Sequence, residues 1–199
     1  MKIVIVGATG TIGKAVTAEL EKRHDIIKVG SKSGDIQMDM TSNESIREMY
    51  KKVGAFDALV VTAGGASMKP LEELKEEDFY VGIKSKLMGQ INLVLEGKEL
   101  INKNGSFTLI SGILADDPIK GSVALGFVNG ALNSFVKSAA HELKKGIRLN
   151  VVSPGLVEDS AEELGSFFPG HTPVSMKRVT DGFVKSVEGI KTAEIIKVY

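Results

Sequence analysis

Apolar residues follow two rhythms along this chain. Continuous β-branched runs that stop at glycine alternate with stretches where apolar side chains recur every three or four positions. KIVIV (2–6) is such a run and stops at Gly7, the pattern of a strand buried on both faces. TIGKAVTAELEKR (11–23) then sets Ile12, Ala15, Val16 and Leu20 on one helical stripe. IIKVG (26–30) predicts a second strand, and NESIREMYKKV (43–53) a second helix with Thr41 and Ser42 as cap candidates. FDALVVTAGG (56–65) is a third buried strand. A long helical region follows to about residue 103, with Phe79, Ile83, Leu87, Ile91 and Val94 along one side. GSFTLIS (105–111) predicts a strand, and the next helix carries Val128, Leu132, Phe135, Val136, Ala139 and Leu143. IRLNVVSPG (147–155) and AEIIKV (193–198) complete the strands.

Strand followed by helix throughout implies an α/β fold, a parallel sheet with helices on both faces. No internal repeat, low-complexity tract or linker interrupts residues 1–199, so a single domain is expected. The 25 basic and 25 acidic side chains balance, which removes a field-driven attraction to nucleic acid or an anionic membrane. No cysteine is present, so the chain has no disulfide, thiolate metal site or thiol nucleophile. His and carboxylate spacing supports no metal site. The apolar run at the start is too short for a signal peptide or a membrane span, and a cytoplasmic protein is expected.

Ligands of parallel α/β sheets bind beyond the carboxyl ends of the strands. There the chain places GATGTIG, GSKSGD, TAGGA, SGILADD and SPGLVED. In the first, Gly7, Gly10 and Gly13 recur at three-residue spacing between a strand and a helix, with Thr9, Thr11 and Ile12 among them. Glycines there let backbone N–H groups approach a pyrophosphate at a helix N-terminus. A dinucleotide is the expected ligand. NAD sites usually carry an acidic residue after the second strand. This chain has Ser31, Lys32 and Ser33, with no carboxylate until Asp35. Hydroxyls and an ammonium suit a 2′-phosphate, so NADP is favoured.

The pieces VGATGTIG, DALVVTAGG, LISG and KKGIRLNVVSPGLV, in this order, resemble the short-chain dehydrogenase/reductase superfamily along nearly the whole chain. The resemblance implies a Rossmann-like doubly wound sheet and the reduction of carbonyls or oxidation of alcohols with NAD(P)(H). It implies that Asp39, in the stretch that includes Met40, lies by the adenine. Ala63 and Gly64 match the end of the family's Asn-Ala-Gly motif, with Gly65 beside them and Thr62 in place of the asparagine. Pro154 and Gly155 match the Pro-Gly turn, with backbone near Val157 meeting the carboxamide. The glycine spacing is that of extended and atypical members.

The resemblance breaks where the family keeps its Tyr-x-x-x-Lys pair. Counting along LGFVNGALNSF places glycines, Gly126 and Gly130, at those two positions. Two readings stand: a catalytic face emptied of side chains, or close packing of the helix. Ser111 matches the catalytic serine, and Lys86 stands where the family has an asparagine. Lys86 is a candidate proton donor, although a solvated lysine is the plainer reading. Asp116, Asp117 and Lys120 lie in the loop after Ser111, and His171 in the segment 156–175 is the one histidine placed to overhang the cleft. Phe167 and Phe168 either cover an apolar ligand or pack on the core, with packing slightly favoured. The candidate catalytic residues are therefore Ser111 and Lys86, acting on an unidentified carbonyl or alcohol. A non-catalytic NADP-binding sensor or scaffold is the alternative. Apolar stretches Leu93 to Leu95 and Phe135 to Ala140 on the two long helices suggest a homodimer or tetramer.

Overall fold

The computed structural model describes all residues, Met1–Tyr199. Seven strands form one parallel sheet: β1 (Lys2–Val6), β2 (Asp25–Gly30), β3 (Ile36–Gln37), β4 (Phe56–Val61), β5 (Ile101–Ile110), β6 (Arg148–Pro154) and β7 (Ile195–Val198). Their order is β3-β2-β1-β4-β5-β6-β7, so the chain reverses direction across the sheet next to β1. That reversal opens a crevice between the carboxyl ends of β1 and β4, where such sheets bind ligands.

The helices are α1 (Thr11–Leu20), α2 (Asn43–Val53), α3 (Glu76–Gly82), α4 (Gly89–Gly97), α5 (Val123–Ala139), α6 (Ala161–Leu164) and α7 (Met176–Glu188). Alternate residues of each buried strand feed two separate cores. Val4, Val6, Leu59, Val61 and Leu109 pack with Ile46 and Met49 of α2, Leu93 of α4 and Leu132 and Val136 of α5. Ile3, Ile5, Ala58, Val60 and Ile110 pack with Val16 and Leu20 of α1 and Val179, Phe183 and Val187 of α7. Both faces of the sheet are thereby covered, and the continuous apolar runs need no polar face.

Several elements differ from the sequence expectation. The helical region expected to reach residue 103 ends at Gly97, and Ile101 already pairs with Phe56 in the sheet. The segment Ile83–Met88 between α3 and α4 is π-helical. β3 has two residues, too few for periodicity to reveal. α7 is a helix beyond those expected from the sequence; Val179, Phe183 and Val187 recur at helical spacing and Ser175 Oγ caps it by accepting from the Arg178 N–H at 3.4 Å. Of the two cap candidates for α2, Ser42 holds the position: its Oγ accepts from the Ser45 N–H at 3.2 Å. No helix is long and apolar enough to cross a membrane.

Candidate functional site

At the carboxyl end of β1 the chain turns at Gly7, whose φ of +87° is a conformation that favours glycine. The turn is tight: a Cβ on Gly13 would lie 1.9 Å from the Gly7 carbonyl oxygen. Gly10 is the N-cap of α1 and offers no side-chain cap, and no acidic residue stands in the first turn. The first N–H groups of α1 are therefore left for an anion, which the helix dipole also favours. Thr62 Oγ1 lies 3.1 Å from the carbonyl oxygens of Val6 and Gly7 and ties β4 to this loop. Ser33 Oγ donates to Thr9 Oγ1 at 3.1 Å, bringing the β2 loop beside the glycine loop. Ser31, Lys32 and Ser33 are all exposed there.

The next turns sit further along the crevice. Asp39 Oδ1 accepts from the Thr41 N–H and Oγ1–H at 2.9 and 2.8 Å. These bonds hold its carboxyl below the usual carboxylate range, led by the backbone N–H. Met40 packs against the start of α4, where a Cβ on Gly89 would come 2.8 Å from its Cε. Ala63 backs the glycine loop, 2.9 Å from where a Gly7 Cβ would stand. The Gly65 N–H donates to Ser85 Oγ at 3.4 Å.

A cleft of about 340 Å³ continues from there over the ends of β5 and β6. It brings together Ile12, Gly64, Lys86, Ser111, Pro154, Gly155 and Val157, all singled out from the sequence. From the glycine-loop segment only Ile12 lines it; Gly7, Thr9, Gly10, Thr11 and Gly13 do not. Of the residues lining the cleft, Lys86 alone carries a charge. Its ammonium is buried, contrary to the expectation of a solvated side chain, and donates to the Ser111 carbonyl oxygen at 3.2 Å. Burial lowers its pKa to about 8, because the charged form loses hydration without gaining a carboxylate partner.

The π-helical turn explains how a lysine reaches this place. Gln90 sits fully buried one turn beyond Lys86. Its amide donates to the Lys86 carbonyl at 2.9 Å and to the Ile110 carbonyl at 3.0 Å, and its Oε1 accepts from the Ile110 N–H at 2.9 Å. One side chain thus satisfies backbone on both the irregular turn and β5, and fixes Lys86 relative to Ser111. π-turns of this kind recur at functional sites.

The helix α5 corrects the sequence reading by one residue. Leu125 and Asn129, not Gly126 and Gly130, line the cleft. Gly126 is turned towards the loop after β5, where a Cβ would lie 2.7 Å from the Leu114 carbonyl oxygen. Gly126 is therefore a packing glycine, whereas a Cβ on Gly130 would meet nothing within 4 Å. An i, i+4 pair does face the cleft, as the helical period requires, but it is leucine and asparagine.

Two polar atoms in the cleft have no partner within the protein: Ser111 Oγ and Asn129 Oδ1. Both residues are buried, so a ligand group or a bound water is the partner available to each. No tyrosine joins them. Tyr50 donates to the Leu93 carbonyl in the core, Tyr80 is exposed on α3, and Tyr199 donates to Asp116 at 2.6 Å. His171 lies 3.8 Å from Asp117 Oδ2 rather than at Ser111. Phe168 borders the cleft and Phe167 is exposed, so neither packs in the core.

A family model described as Enoyl-(Acyl carrier protein) reductase matches residues 2–182. The 3-oxoacyl-(acyl-carrier-protein) reductase FabG of Buchnera aphidicola is 33% identical over 123 residues, which are 60% of this chain and 50% of that protein. The match thus spans about half the length of that relative. The crystal structure of the protein lin1944 from Listeria innocua is 47% identical, with a TM-score of 0.99 and full coverage of both chains. A small-chain dehydrogenase in complex with NADPH has a TM-score of 0.89 at 23% identity, covering 100% of this chain and 96% of that one. The sheet order, the glycine turn ahead of α1 and the matched length agree: the chain belongs to the short-chain dehydrogenase/reductase superfamily, within the family that this model describes.

Proposed function

We propose that the chain is an NADP-dependent oxidoreductase that interconverts a carbonyl and an alcohol, with Lys86 as the proton-transferring group. The observation that carries this reading is the Lys86 ammonium: buried in the cleft, held by the Ser111 carbonyl and unpaired with any carboxylate. The protein's own groups fit a dinucleotide, from the uncapped N-terminus of α1 to the unpartnered Ser111 Oγ and Asn129 Oδ1. The glycine loop would hold the pyrophosphate, and Ser31, Lys32 and Ser33 the 2′-phosphate. The neighbour with NADPH bound supports the choice of cofactor.

When bound, NADPH supplies a hydride to the carbonyl carbon. The electron pair of the C=O bond moves to oxygen, and Lys86 Nζ gives that oxygen its proton. Ser111 Oγ–H donates to the same oxygen as charge develops on it. General acid catalysis of this kind is worth roughly 10²–10⁴-fold, and a group with a pKa near the working pH serves it best. Gln90 keeps Lys86 in reach without touching substrate. The exposed apolar side chains Tyr80, Val81, Met88, Leu95 and Phe127 on α3, the π-turn, α4 and α5 support a homodimer through that surface.

The test is stopped-flow oxidation of NADPH with a panel of ketones and aldehydes, the protein compared with Lys86→Met. Turnover by the parent and its loss in the variant are expected. Tight NADPH binding with no turnover on any carbonyl would favour a dinucleotide-binding sensor instead. Light scattering at the monomer mass would remove the dimer.

A further inference from the structure

The cleft combines an apolar wall with a single unneutralised cation. Ile110, Ile113, Leu114, Leu125, Leu156, Val157 and Phe168 supply most of the wall. No Asp or Glu is among the lining residues, so the charge on Lys86 has no countercharge within the site. A buried cation without a partner is a strongly unfavourable arrangement, and an anionic ligand relieves it. One of the three ammonium protons is engaged by the Ser111 carbonyl, which leaves two for a ligand.

We propose that the substrate is a 2-oxo acid with an apolar side chain, or the matching 2-hydroxy acid in the reverse direction. The two free N–H groups of Lys86 bridge the carbonyl oxygen and one carboxylate oxygen, which are close together on adjacent carbons. The apolar side chain lies along Leu125, Leu156 and Phe168. This substrate class rests on the oxidoreductase reading above and deepens it. The redox balance is unchanged: the carbonyl carbon gains hydride from NADPH, the carbonyl oxygen gains the Lys86 proton, and the carboxylate takes no part in bond making. Lys86 serves here both as the catalytic donor and as the anion receptor. The alternative receptor for that ammonium is a phosphate of the dinucleotide itself.

Three matched probes separate the possibilities: 4-methyl-2-oxopentanoate, its methyl ester, and 4-methyl-2-pentanone. The ester carbonyl is the more electrophilic, so reactivity alone favours the ester over the acid. Charge recognition by Lys86 reverses that order, and kcat/KM for the acid should exceed that for the ester by roughly ten- to hundred-fold. Lys86→Arg keeps the cation, so it should retain a low KM for the acid while losing kcat, because guanidinium does not release its proton. In Lys86→Met, whose turnover is lost, the inhibition constants of the acid and the ester should become equal, with the NADPH dissociation constant unchanged. Equal or better turnover of the ester or the neutral ketone by the parent overturns the substrate class while leaving the oxidoreductase reading intact. Loss of NADPH affinity in Lys86→Met assigns the ammonium to a cofactor phosphate and also overturns it. Absence of turnover with every probe and with the wider carbonyl panel defeats the oxidoreductase reading first.

Discussion

Lys86 Nζ reaches the Ser111 carbonyl oxygen at 3.2 Å, joining the π-helical turn to the end of β5. The contact leaves a cation inside an apolar cleft, and its thermodynamic consequence can be read from pH. The Lys86 pKa is lowered by burial from 10.5 to about 8 in the folded chain. Below pH 8 folded and unfolded chains both hold the proton, and folding bears the full penalty of the buried charge. Between about pH 8 and 10.5 the folded chain releases the proton while the unfolded chain keeps it, so stability rises with pH. Lys86→Met removes the penalty at every pH, and the variant should melt higher than the parent at pH 7, by up to about 3 kcal/mol of stability. The gap should narrow as the pH approaches 10. Melting curves of both proteins from pH 6 to 10 decide it; a parent more stable than the variant at pH 7 would show that the ammonium is well paired.

Catalysis should respond to the same proton with the opposite preference. With Lys86 as the proposed donor, reduction needs it protonated, so kcat/KM for carbonyl reduction should fall as the pH rises through about 8. A profile flat from pH 6 to 10, with activity intact, would remove Lys86 from proton transfer.

The proposed dinucleotide preference rests on a different lysine. Lys32 is exposed at the end of β2, next to Ser31 and Ser33. Lys32→Ala should weaken NADPH by roughly ten-fold, the lower range for a charge-assisted bond, and leave NADH unchanged. Calorimetry with both cofactors reads this directly. Equal loss for both would place Lys32 away from the 2′-phosphate.

Much of this architecture was legible from the chain, and the losses have physical causes. The buried strands were visible because a run such as KIVIV feeds two cores at once: Ile3 and Ile5 go to one face, Val4 and Val6 to the other. The glycine loop was visible because Gly7 and Gly13 meet a backbone constraint that other residues cannot. Lys86 was harder. A lysine two residues after another lysine looks solvated, and only the irregular π-turn, stitched to β5 by Gln90, buries it. The phase of α5 is hard to fix because Gly126 and Gly130 are themselves an i, i+4 pair, one residue out of step with Leu125 and Asn129. α7 carries a regular apolar stripe of Val179, Phe183 and Val187, so its helix is legible in the residues themselves.

The two glycines of α5 should respond differently to alanine. Gly130 faces open space, so Gly130→Ala should stabilise the helix by roughly 1 kcal/mol through propensity. At Gly126 the same gain is opposed by a Cβ 2.7 Å from the Leu114 carbonyl oxygen. Overpacking of that kind costs about 1–3 kcal/mol, so Gly126→Ala should melt below Gly130→Ala. Reversal of that order in thermal melts would restore Gly126 to an open face.

The cleft-facing register of α5 also defines how the family's missing pair would be rebuilt. The resemblance implies an asparagine, a serine, a tyrosine and a lysine; the cleft holds Lys86, Ser111, Leu125 and Asn129. By that resemblance the lysine and the asparagine stand on exchanged helices, with Leu125 in the place of the phenol. The triple change Lys86→Asn, Leu125→Tyr, Asn129→Lys should fold, because Leu125 and Asn129 already border open cleft. It should transfer the proton-donating role to the new phenol and raise turnover of neutral ketones above that of Lys86→Asn alone, within the roughly 10²–10⁴-fold range of general acid catalysis. Its preference for an anionic substrate should fall, since the ammonium then enters from α5. Placing the pair instead as Gly126→Tyr and Gly130→Lys should lower the melting midpoint through the Leu114 clash and give no gain in turnover over the parent. A triple variant that fails to fold while the glycine pair is accepted would mean that α5 presents a different face to the cleft than Leu125 and Asn129.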